Sequence, residues 1–77
     1  MGKDKRDNKI IPIAPLDRLI REAKAERVSE KAARELGVIL EEIAIEIANM
    51  ARELSLHAHR KTVNDSDIRL AYKQWRR

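Results

Sequence analysis

The chain has 77 residues, 39% of them charged, a net charge of +4 and no cysteine, which removes disulfides and thiolate metal sites. At that length it makes one domain whose own core is marginal without a staple or an oligomer. No apolar run reaches the length of a membrane span or a signal-peptide core, so an intracellular soluble protein without a membrane partner is expected. With Tyr72 and Trp75 as the aromatic residues, binding of nucleic acid by base stacking is not expected either.

Charge is unevenly distributed. Residues 1–29 carry eight basic and five acidic side chains, residues 30–59 three and six, and residues 60–77 six and two. The sums are +3, −3 and +4, an acidic middle between basic ends. A scaffold that presents positive charge at its extremities has this pattern.

Residues 1–9, MGKDKRDNK, lack apolar periodicity and mix both signs, which predicts a disordered basic tail. It is either a solubilising segment or a basic arm that attracts phosphate. From Ile10 the pattern changes to IIPIAPLDRLIREA. Proline is favoured in the first helical turn and excluded deeper in, so a short helix is expected over about 15–23, with Pro15 at its first position. Asp17 then falls in the first turn, where the helix dipole favours a carboxylate. Leu16, Leu19, Ile20 and Ala23 share one face, with Arg18, Arg21 and Glu22 outside it.

After a short linker, Ser29 is a good N-cap for a long helix that starts at Glu30 and runs to about residue 58. Ala32, Leu36, Ile39, Ile43, Ile47, Met50, Leu54 and Ala58 follow one another by steps of three or four. A second row, Ala33, Leu40, Ala44, Ala48 and Ala51, widens that stripe, and Ile45 and Leu56 lie outside it. So wide a stripe needs cover from more than one side. Such a helix is roughly 42 Å long, whereas a compact chain of this size is only about 28 Å across. The mismatch implies an obligate partner.

Residues 60–63 read as an extended loop. Asn64 is a strong N-cap for a third helix, with Asp67 at the third helical position to reach back to the cap, and Val63 and Ile68 at the hydrophobic-staple positions. Ile68, Ala71, Tyr72 and Trp75 form its apolar face, and Lys73, Arg76 and Arg77 crowd its C-terminus, which the dipole favours. A metal enzyme is the rival class, suggested by Glu53 and His57 one turn apart and by His57-Ala58-His59. Residues two apart point to different helix faces, and neither HExxH nor paired Glu-x-x-His is present. No catalytic residue, metal ligand or cofactor is therefore expected. Glu41, Glu42 and Glu46 read as a solvated face.

Three separated stretches carry a resemblance: PIAPLDRLIR from Pro12, AERVS from Ala25, and HAHRKTVNDSD from His57 running on into IRLA. In order and without a gap they resemble the PIAP, AERVS and HAGRKT…DI patterns of the archaeal histones. The resemblance implies an all-α histone fold over residues 10–77, in which two chains cross their long helices in a handshake homodimer. The dimer core would comprise Leu36, Ile39, Leu40, Ile43, Ile47 and Met50. The first loop of one chain would lie beside the second loop of the other and grip double-stranded DNA without reading sequence. Arg18, Arg21, Arg27, Lys61 and Thr62 are the DNA-binding residues so implied.

The resemblance further implies a structural salt bridge between Arg60 and Asp67. It places Leu54, His57, Asp67 and Leu70 where two dimers meet in tetramers or larger assemblies that compact the chromosome in the cytoplasm. Three positions depart from the family pattern. Lys24 replaces the glycine of GAERVS at the position that faces the next turn of a stacked superhelix, so continuous stacking is expected to be weak. His59 replaces the glycine of HAGRKT, at the expected left-handed residue that ends the long helix. Asn64 stands where relatives often carry a basic residue. Within the same fold, the alternative is a member of a transcription-regulator heterodimer, with a paralogue as partner, that acts through protein contacts.

Overall fold

A computed structural model describes residues 10–77; the tail expected over residues 1–9 lies outside the described residues. Three helices follow in order, α1 (Ile13–Glu22), α2 (Glu30–His57) and α3 (Asp65–Trp75), with no strand among the described residues. The short-long-short plan is the one expected.

The start of α1 differs from expectation. Pro12, at φ −66° and ψ 160°, is the N-cap, and Ile13 is the first helical residue. Pro15 is therefore third in the helix, still within the turn whose N–H groups have no intrahelical acceptor, so its missing donor costs nothing there. The earlier start moves Asp17 out of the first turn. Its carboxylate instead accepts from Arg21 Nε one turn on, at 2.9 Å.

The other ends follow local chemistry. Ser29 Oγ accepts the Ala32 N–H at 3.0 Å and caps α2. At the far end, His59 adopts φ 60°, the left-handed conformation expected of it. The Arg60 N–H reaches back to the Ser55 carbonyl and the His59 N–H to the Leu56 carbonyl, both at 2.9 Å. That pair of bonds is a Schellman closure, usually made with glycine. For α3, the Asp67 carboxylate accepts the Asn64 N–H at 2.8 Å. The two staple residues, Val63 and Ile68, each remain 41% exposed.

Packing divides the chain within α2, with residues up to Glu42 in one unit and residues from Ile43 in the other. In the first unit the buried residues are Leu16, Ala33, Gly37 and Val38. Val38 belongs to neither apolar row read from the sequence. The buried strip of α2 here joins two small residues, Ala33 and Gly37, which admit close approach, to one valine. Of the expected face of α1, Leu16 is fully buried and Ile20 half-buried, while Leu19 and Ala23 are exposed. The Ile10 and Ile11 N–H groups both donate to Glu41 Oε2, at 2.8 and 2.7 Å. Glu41 is thus a structural acceptor and not only a solvated side chain.

The second unit buries Ala51, Ser55, Asp67 and Ala71. The Ser55 hydroxyl is satisfied by donating to the Arg52 carbonyl at 2.8 Å, a local back-bond of the helix. Trp75 Nε1 donates to Glu46 Oε1 at 2.8 Å and ties the end of α3 to α2. Glu46, like Glu41, is a structural acceptor where a solvated face was expected. Tyr72 stacks on Trp75 with ring centroids 6.2 Å apart, and the Arg76 guanidinium lies 5.4 Å from the Tyr72 ring centre.

The stripe expected to be the dimer core is left incompletely covered. Leu36, Leu40, Ile43, Ile47 and Met50 are only half-buried and Ile39 is exposed. Ile45 and Leu56, placed outside the stripe, are 56% and 49% exposed.

Candidate nucleic-acid interface

The candidate residues lie on α1 and on the two loops, and each loop is entered through a left-handed residue. Lys24, at φ 74°, follows α1 as His59 follows α2. The Lys24 N–H donates to the Arg21 carbonyl at 2.9 Å and closes the end of α1. This backbone conformation supplies a local reason for the glycine that the family pattern carries here, apart from any role in stacking. Sequence alone explains Lys24 by its neighbours in an assembly and misses its own φ. A short linker directly after a helix is the signal that could have found it.

In the second loop, Arg60 and Asp67 form the expected ion pair, and it is bidentate. Arg60 NH1 and NH2 donate to Asp67 Oδ2 and Oδ1, each at 2.9 Å. The same NH1 donates to the Thr62 carbonyl at 3.0 Å. One guanidinium therefore fixes the carboxylate that caps α3 and the main chain of a candidate DNA-binding residue. The Asp67 side chain is only 6% exposed. The Arg60 bond, helped by the Asn64 N–H, holds its carboxyl down from 3.8 to about 2, and Asp67 in turn raises Arg60. At the start of α3, the Asp65 carboxyl is held below its ordinary value by its pair with Arg69 at 3.1 Å.

Neither Arg18, Arg27 nor Lys61 has an ion-pair or hydrogen-bond partner among the described residues, and all three are exposed, as is Thr62. Arg18 borders a depression on the outer face of α1 together with Pro15, Leu19 and Glu22. Arg21 is placed differently. Its Nε is held by Asp17 and its NH1 points to the Glu26 carbonyl at 3.4 Å, contacts that sequence spacing alone did not reveal.

Among the residues expected between dimers, Leu54 is half-buried, and His57 and Leu70 are exposed. Asp67 differs from these three, since both of its oxygens are engaged inside its own chain. Among the described residues no group of three or more His, Cys, Asp or Glu side chains is arranged to hold a metal ion, and no helix is long and apolar enough to cross a membrane.

Comparison with known proteins agrees with this arrangement. The chain is 60% identical over 63 residues to one of the subunits of the archaeal histone HAN1 of Thermococcus zilligii, covering 82% of this chain and 94% of that protein. It is 44% identical over 63 residues to the probable archaeal histone 3 of Methanocaldococcus jannaschii, with the same coverage of 82% and 94%. Residues 9–72 match the family described as histone-like transcription factor (CBF/NF-Y) and archaeal histone. The loops, free cations and uncovered long helix are therefore those of a member of this histone family, an archaeal-type histone whose family's general role is to wrap DNA.

Proposed function

We propose that this chain works as an architectural and not a catalytic protein, a homodimer that bends and wraps double-stranded DNA through its two loops and α1. Two observations carry this reading: Arg18, Arg27 and Lys61 are exposed with no ion-pair or hydrogen-bond partner among the described residues, and one chain leaves the apolar stripe of α2 incompletely covered. A second copy crossing over α2 covers Leu36, Ile39, Leu40, Ile43, Ile47 and Met50, and no folded monomer persists on its own. The loops then meet in pairs, and Arg27 enters the minor groove beside Thr62 while Lys61 meets phosphate. A guanidinium in a narrow minor groove feels strong negative potential but reads little sequence. Wrapping by backbone contact follows, at the chromosome in the cytoplasm. Leu54, His57, Asp67 and Leu70 support tetramers and larger assemblies. Lys24 limits how closely successive turns stack.

The test is a gel shift and a DNA-topology assay on the purified chain alone. Cooperative shifting and altered supercoiling are expected, with affinity falling ~10³–10⁵-fold between 50 and 200 mM salt for 6–10 phosphate contacts. Absence of DNA binding, or an affinity that hardly responds to salt, refutes the reading. One observation favours a second: the Thermococcus relative is named as one subunit of its histone. On that reading this chain pairs with a different histone-fold chain. Sedimentation of the purified chain as an unfolded or monomeric species would favour that partner over a second copy.

A further inference from the structure

We propose that Arg21 is a positioning residue for Arg27 and not itself a phosphate ligand, and that Asp17 holds it in that role. This rests on the DNA reading above and assigns one residue of that interface a different task. Arg21 touches the first loop twice. Its carbonyl accepts the Lys24 N–H at 2.9 Å, and its NH1 faces the Glu26 carbonyl at 3.4 Å. The left-handed turn at Lys24, φ 74°, redirects the chain between those two contacts. The Glu26 carbonyl and the Arg27 N–H belong to one planar peptide, so fixing the carbonyl fixes the plane from which Arg27 leaves.

The guanidinium itself is fixed from the other side, by Asp17 on Nε at 2.9 Å. To serve a phosphate, Arg21 would have to leave a carboxylate and release the loop. The second loop contains the same sequence of contacts. There Asp67 holds Arg60, and Arg60 donates to the Thr62 carbonyl at 3.0 Å. In both loops an aspartate-anchored arginine grips a carbonyl at, or immediately before, a residue that faces DNA. A lysine cannot reproduce this grip, because one ammonium lacks the fixed fork that reaches a carboxylate and a carbonyl together.

Two substitutions separate positioning from charge. Asp17→Ala removes a negative charge beside DNA, which by electrostatics alone tightens binding; loss of the grip weakens it. Arg21→Lys keeps the charge and loses the fork. Full-length variants are titrated with a random-sequence duplex across a salt series, and loop amide exchange over residues 24–28 is measured without DNA. Both variants are expected to bind about 1.4–5-fold more weakly per loop, the range of an exposed ion pair. Arg21→Lys should leave the salt slope unchanged, and loop exchange should accelerate in both.

Tighter or unchanged binding by Asp17→Ala, wild-type affinity for Arg21→Lys, or unaltered loop exchange overturns the proposal. Arg27→Gln is the control on the interface and should lower the salt slope by about one for each phosphate charge no longer neutralised. If it does not, while exchange still accelerates in Asp17→Ala, the DNA assignment of Arg27 fails and the Arg21 tether stands.

Discussion

The two loops of this histone use one device at two depths. Beside the second loop the Asp67 side chain is 6% exposed and Arg60, itself 35% exposed, grips it through two bonds; beside the first, Asp17 is 34% exposed and Arg21 51%. A doubly bonded, little-exposed carboxylate cannot be relinquished without orphaning a cap, even though Arg60 meets solvent, whereas a singly bonded pair with both partners in solvent is screened by salt and worth little in stability. The difference separates two jobs. One loop is part of the fold's framework, and the other is adjustable and depends on its tether for shape and not for survival.

The sharpest way to break this comparison is Asp67→Ala. It strands the Arg60 guanidinium and leaves the Asn64 N–H without its acceptor, so it should lower the melting temperature more than any other single loop substitution. A circular-dichroism melt that shifts no further than for Asp17→Ala would remove the distinction between the loops.

Acid gives the next largest effect. The Asp67 carboxyl titrates at about 2 in the folded chain against 3.8 ordinarily, so its stabilisation is complete above pH ~4 and is lost as pH falls from there through about 2. Melting temperature measured down that range should fall in the wild type and fall less in Asp67→Asn, which has no carboxyl to protonate. Parallel curves for the two proteins would contradict the assignment.

Arg21→Ala ranks third. It should cost only ~0.2–1 kcal/mol in a denaturant titration, as expected of an exposed pair. A larger loss would mean that the first loop is framework as well.

The smallest effects belong to Lys24→Gly and His59→Gly. Glycine relieves ~1 kcal/mol of left-handed strain but loosens the unfolded chain by about 0.4–1 kcal/mol, and the two nearly cancel. A change beyond about 1 kcal/mol in either variant would show that one loop stores more strain than its partner.

What could be read from the sequence was what depends on neighbours in the chain. The Ser29 cap, the reach of Asp67 back to Asn64 and the left-handed His59 are each decided within a few residues, and side-chain chemistry at fixed spacing reveals them. The start of α1 was misplaced because proline suits any position of a first turn, so Pro15 alone does not say which. Burial of Val38 was missed because it falls between the two apolar rows; the buried strip runs from Ala33 of the second row past Gly37, which has no side chain to mark a face. The Arg21 tether and the Glu41 and Glu46 acceptors escaped for a different reason. They join side chains to atoms whose place is set by the path of the chain, by φ at Lys24 or by the run into α1. The half-covered dimer stripe was legible from length alone, since a helix near 42 Å outruns what so short a chain can wrap.

Trp75 is the protein's one tryptophan, and its indole N–H rests on Glu46 within the unit that begins at Ile43. Both aromatic residues, Tyr72 included, belong to that unit, so the unit ending at Glu42 is silent in intrinsic fluorescence. Tryptophan emission therefore reports the loosening of one half of the fold, while far-ultraviolet dichroism reports all three helices. The natural chain already carries the label needed to learn whether its two halves come apart in one step or two.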